Sequence, residues 1–141
     1  MTSDNPGAAA GHAVPHRRFS PPTVVAPPSR HAQAVASTSG LRWLHLSGQI
    51  GLRPDGSTVL DHAGQHEQVW RNILALLAAD GMQAEHLVKA TAYVTSREQV
   101  ALYRDTRDRL LGGVEIASTL VVVAALAHPD WVVEIDAVAA A

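Results

Sequence analysis

Two stretches near the C-terminus constrain this chain more than anything else in it. Ser118 to Leu126 is a continuous apolar and β-branched run, and Trp131 to Ala139 alternates around Glu134 and Asp136. The first reads as a strand apolar on both faces, which a fold accommodates only by covering both. The second has period two, so one face is apolar while Glu134 and Asp136 share the other. His128-Pro129-Asp130 supplies the turn between them. The longest apolar stretch, Leu120 to Ala127, is far short of the roughly 20 residues needed to cross a bilayer as a helix.

Upstream the pattern is mixed. Ala32 to Ser37 and Leu41 to Ser47 are short β-like runs separated by Thr38-Ser39-Gly40. Gly48 and Gly51 flank Gln49-Ile50, and Pro54-Asp55-Gly56 is a turn signal. From about Gly64, Val69, Ile73, Leu76 and Leu77 recur at helical spacing, and Asp80-Gly81 ends that helix. Leu87 to Val94 is a strand. Thr95-x-x-Glu98 and Ser96-x-x-Gln99 both fit a capping box, which predicts a second helix starting at Thr95 or Ser96. Val100, Tyr103, Leu110 and Leu111 are its expected buried side, and Gly112-Gly113 closes it.

The order β-β-(β)-α-β-α-β-β predicts an α+β domain, with both helices on one face of a mixed sheet. Two helices leave the other face open. Either a second copy of the chain covers it, or the sheet curves around its own core. No internal repeat is present.

Composition narrows the function classes. The 141 residues suffice for one core, read as a single domain over 23–141 behind an Ala/Gly/Pro-rich flexible arm over 1–22. Arg17-Arg18-Phe19 lacks a following apolar segment, so the arm is not read as a signal peptide, and the expected location is cytoplasmic. Without cysteine there is neither a disulfide framework nor a thiolate zinc site. His62 and His66 are four apart but lack the glutamate of a zinc-protease helix, so no metal or cofactor is expected. A net charge of −2 offers no basic surplus for a nucleic-acid backbone.

Five segments in order then match one family. Ser47-Gly48-Gln49-Ile50-Gly51, Pro54-Asp55-Gly56, Asn72, Leu87 to Val94, and Val133 to Ala139 are similar to successive signatures of the Rid superfamily, the YjgF-type reactive-intermediate deaminases. The resemblance spans about residues 29 to 139. It implies a chorismate-mutase-like fold, a homotrimer, and ligand clefts between subunits. In the family's deaminases an arginine in a Pro-Ala-Arg-Ser-Thr-like segment binds the substrate carboxylate. A glutamate on the last strand positions water, and groups near the Ser-Gly-Gln turn hold substrate.

Here the corresponding segment is Glu115-Ile116-Ala117-Ser118-Thr119. The arginine position is Ala117, while the glutamate is kept as Glu134. The family's N-terminal tyrosine aligns with His31. The resemblance therefore makes Glu134 the catalytic candidate and puts His31, Ser47, Gly48, Gln49, Ala117, Thr119 and Trp131 at the substrate.

Each has a plainer reading. Glu134 on an alternating strand can simply face solvent or pair with Arg42, and His31 can be a surface histidine beside Arg30. Ser47 can bond its own backbone, and Trp131 can be an edge-strand packing residue. Thr119 can present a hydroxyl near the lost arginine. Arg53 and Arg97 are the arginines weighed as substitutes, against the plainer reading of both as surface charges.

An alanine gives up the bidentate, charge-assisted pair that a guanidinium makes with a carboxylate. The expected function is action on a small imine or enamine, by hydrolysis or proton transfer, on a substrate other than 2-aminoacrylate. The alternatives are a small-molecule-binding or regulatory protein without chemistry and, disfavoured by charge and by the single phenylalanine, an endoribonuclease.

Overall fold

The 18-residue helix α1 (His62–Ala79) is set by its two ends. Asp61 caps the start, accepting from the Gly64 N–H at 2.7 Å. At the other end Gly81 takes φ +71°. Its N–H bonds Ala78 O and the Met82 N–H bonds Leu77 O at 2.8 Å, a Schellman closure. Between the caps Val69, Trp70, Ile73 and Leu77 are fully buried, whereas the expected core residue Leu76 is 41% exposed.

The computed structural model describes residues 15–141. Among the described residues there are six strands, β1 (His16–Phe19), β2 (Ala34–Ser37), β3 (Trp43–Ile50), β4 (Leu87–Val94), β5 (Ala117–Val122) and β6 (Val133–Ala140), together with α1, a 3₁₀ turn at Ala84–His86 and α2 (Gln99–Leu110). The main sheet has the order β3-β6-β4-β5, with β4 and β5 parallel and the other pairs antiparallel. This is the expected α+β architecture.

Sheet register sorts the side chains. Val133, Ile135, Ala137 and Ala139 of β6 and Ala90, Ala92 and Val94 of β4 are buried in one core with α1 and α2. By the two-residue period, Glu134, Asp136, Tyr93, Thr91 and Thr119 lie on the opposite, open face. Trp43 on β3 and Val121 on β5 are 46% and 40% exposed there.

Three expectations require adjustment. Residues 16–19, read as part of the arm, form β1, which pairs antiparallel with β2. Arg18 anchors this hairpin to the sheet by donating to Glu115 O and Glu85 O, both at 2.6 Å. The part of the arm over residues 1–14 lies outside the described residues. The second helix starts at Gln99, because Ser96 and Arg97 spend their carbonyls on a tight turn to the Gln99 and Val100 N–H groups. Glu98 is its N-cap and makes no side-chain capping bond. Finally, β5 ends at Val122 rather than Leu126.

Candidate functional site

The site begins with a break in a strand. β3 pairs with β6 as Leu46↔Ala137 and then Gln49↔Ile135, so Ser47 and Gly48 together oppose the single residue Asp136. This is a β-bulge, which leaves room beside the strand and redirects its side chains. The Glu134 side chain occupies that room. A Cβ on Gly48 would lie 2.9 Å from Glu134 Cδ and nearer still to Oε1. Only glycine at 48 admits the carboxylate in this position.

Tyr93 on β4 is the direct cross-strand partner of Glu134, and Thr91 pairs with Asp136. Gly48, Tyr93, Glu134 and Asp136, with the Val123–Ala127 segment after β5, line an open cleft of about 410 Å³. The negative charge of the neighbouring Asp136, then loss of solvent and the charge of Glu134 raise the Tyr93 phenol above its ordinary ionisation range. The site thus offers two carboxylates as acceptors and a phenol kept as a donor. Such a set can orient a water and move a proton.

Further along the open face, Ala117 is the cross-strand partner of Lys89, and the Lys89 ammonium donates to Thr119 Oγ1 at 3.3 Å. A cation therefore stands beside the alanine, as a single point charge without the fork of a guanidinium. Within one chain, both arginines weighed as substitutes are placed elsewhere. Arg53 is held in its own turn by Ser57 Oγ at 3.1 Å, and Arg97 is exposed in the turn before α2.

The remaining candidates fall in different places. Ser47 is exposed on the bulge, and its carbonyl accepts from Gln49 Nε2 at 3.0 Å. Past the bulge Gln49 faces α1, in a groove with Asn72, Leu52 and Arg53. His31 lies in a separate pocket against α2. Trp131 is half-buried and packs on the His128 ring, 5.4 Å between centroids, and is not among the cleft residues. His62 and His66 are bridged by Gln99, which donates to His62 Nδ1 and meets His66 Nε2, each at 2.8 Å.

Sequence reasoning passed over Tyr93, Asp136 and Lys89 as site residues. Asp136 shares the face of Glu134 through the alternation of β6, whereas the places of Tyr93 beside Glu134 and of Lys89 beside Ala117 depend on strand register, which no local pattern encodes. It also missed Gln65, buried on α1, which donates to Asp130 O at 2.6 Å and accepts from the Val132 N–H at 3.0 Å. Gln65 thereby fixes the turn from which β6 sets out.

The profile of the family described as Endoribonuclease L-PSP matches residues 23–141. The chain belongs to this family, the YjgF/Rid family. It is 35% identical to the protein DfrA of Myxococcus xanthus over 111 residues, which are 77% of this chain and 83% of DfrA. A RutC family protein of Aquifex aeolicus (strain VF5) is 32% identical over 94 residues, 63% of this chain and 73% of its own. Among solved structures, the conserved Rid-family protein YyfB of Yersinia pestis, itself of unknown function, superposes with a TM-score of 0.81 at 30% identity. That match covers 89% of this chain and 98% of YyfB. The α+β fold is thus that of the family.

Proposed function

We propose that this protein acts on a small imine- or enamine-type reactive intermediate, in a cleft on the open face of its sheet. Glu134 is the group that carries the reaction. It positions a water and takes up its proton as the oxygen attacks the C=N carbon. Glu134 returns that proton to the nitrogen, giving a carbinolamine, and then moves the carbinolamine hydroxyl proton to nitrogen as the C–N bond breaks, so that imine and water leave as a carbonyl compound and ammonia. Moving a proton between carbon and nitrogen would use the same carboxylate. The observation that carries this reading is the seating of Glu134 over Gly48, beside Tyr93 and Asp136.

Ala117 directs the choice of substrate. A substrate with an α-carboxylate would lose a bidentate partner worth about 1.5–3 kcal/mol. The preferred substrate is therefore an imine without that carboxylate. We place the cleft at a joint between subunits of a homotrimer. The family resemblance supports this assembly, as do the exposed Trp43 and Val121 on the open face.

Ala117 also favours a second reading, a protein that binds such a molecule without converting it. A thermal-shift screen of small imines and their stable amine and carbonyl analogues, followed by incubation of each stabilising compound, separates the two. Recovery of product supports the enzyme, whereas ligands returned unchanged support the binder. The net charge of −2 speaks against RNA as the substrate.

A further inference from the structure

Attack of water on a C=N carbon pushes electron density onto the nitrogen, which needs a hydrogen-bond donor until a proton arrives there. The cleft over Glu134 holds few groups that can supply one. Its two carboxylates, Glu134 and Asp136, accept but do not donate when ionised. Gly48 has no side chain, and the wall from Val123 to Ala127 is built of valine, leucine and alanine. The Tyr93 hydroxyl is the single side-chain donor among the described residues that line the cleft. Lys89 and Thr91 stand on the same face of β4 but are not cleft residues, and the Lys89 ammonium is turned to Thr119.

Strand register brings the phenol to the carboxylate. Tyr93 is the direct cross-strand partner of Glu134, and the β-carbons of directly opposed residues lie about 5 Å apart. Asp136 follows on the same face of β6, diagonal to Tyr93. The apolar wall is tied beside them, because the Val123 N–H donates to Val94 O at 2.8 Å. One small molecule in the cleft of about 410 Å³ can therefore touch the phenol, Glu134 and the apolar wall together. The charges of Asp136 and Glu134 hold the phenol protonated beyond its ordinary range, so it offers a hydrogen bond and keeps its proton.

We propose that the Tyr93 hydroxyl donates to the C=N nitrogen of the bound molecule, and so serves as a second catalytic residue beside Glu134. The assignment rests on the reading of this cleft as the site of imine hydrolysis. The phenol proton stays on its oxygen throughout. Glu134 carries the water proton to nitrogen, and the hydrogen bond from Tyr93 holds the negative charge that builds there in between. A nitrogen that accepts this bond has a free lone pair, so the substrate is an uncharged imine rather than an iminium.

Two arms test this with the full chain. In the first, cyclohexanone oxime, a stable compound with an uncharged C=N nitrogen, is titrated by calorimetry into the wild type and Tyr93→Phe. Saturable binding, weakened at least about fivefold in the variant, supports the proposal, that being the scale of one neutral hydrogen bond. Absence of saturation, or equal affinity, overturns it. In the second arm, ammonia release from cyclohexanone imine, generated in situ, is followed for the wild type, Tyr93→Phe and Glu134→Ala. Tyr93→Phe should lower kcat/KM by at least about 30-fold, more than it weakens the oxime, because the bond strengthens as charge builds. Undiminished turnover by Tyr93→Phe, with Glu134→Ala inactive, overturns the Tyr93 assignment and leaves the hydrolase standing. A wild type without turnover, whose oxime binding still depends on Tyr93, removes the hydrolase and leaves Tyr93 as the donor to the bound nitrogen.

Discussion

The Glu134 carboxyl group lies directly over the α-carbon of Gly48, in the space that any other residue's Cβ would occupy. The bulge at Ser47–Gly48 and the alternation of β6 produce this contact together, and neither would do so alone. Gly48→Ala should therefore displace the Glu134 side chain while leaving the fold intact, because Gly48 is exposed and its φ is not positive. Turnover is expected to fall at least about tenfold, as misplaced groups lose their effective molarity. Stability should change by less than about 1 kcal/mol. Steady-state rates and a denaturant midpoint check both halves, and undiminished turnover would show that the contact is incidental.

Ala117→Arg should move the preference toward substrates bearing an α-carboxylate. The new fork would stand beside Lys89 on the open face. A charge-assisted pair worth about 2 kcal/mol corresponds to a gain of about 30-fold in kcat/KM on 2-imino acids. Imines without a carboxylate should gain nothing. A variant no better on imino acids than the wild type would remove Ala117 from the account of specificity.

Tyr93 should ionise above the ordinary phenol range, chiefly because Asp136 is negative beside it. Asp136→Asn removes that charge, and the phenol should then titrate closer to its usual value. Ultraviolet difference titration against Tyr93→Phe isolates the signal from Tyr103, the chain's other tyrosine. A Tyr93 titration unmoved by Asp136→Asn would contradict the arrangement.

His66 makes stability depend on pH. Burial lowers its pKa, only partly offset by the hydrogen bond its Nε2 donates to Gln99 Oε1, with His62 lowering it further. A base that protonates less readily folded than unfolded binds fewer protons in the folded state. Its contribution is thus fully present above the unfolded value of about 6.5 and lost as pH falls below it. The urea midpoint of the wild type should drop between pH 7.5 and pH 5.5, and less so for His66→Gln (conditions set by that unfolded value of about 6.5). Equal drops in both proteins would assign the acid sensitivity elsewhere.

Several elements were legible in the sequence because their causes are local. Gly81 ends α1 through a positive φ that favours glycine, and the alternation of β6 places Glu134 and Asp136 on one face. Arg107 was not legible. Its buried side of α2 also carries Gln99 and Thr106, and polar residues on a helix read as solvent-facing until the packing around them is seen. The start of α2 was misread because two overlapping capping boxes describe side chains that can cap, whereas backbone turns from Ser96 and Arg97 use that segment first. The Tyr93–Glu134 pair depends on the register of β4 against β6, a relationship 41 residues apart in sequence, from 134 − 93.

The most direct test of the central claim is ammonia release from an uncharged imine, generated in situ, by the wild type and by Glu134→Ala at matched concentration. Sedimentation should first show that the two have the same assembly state. The account predicts saturable turnover by the wild type and a loss of at least about 100-fold in the variant, the usual scale of a lost general base. Equal rates in the two proteins would contradict it.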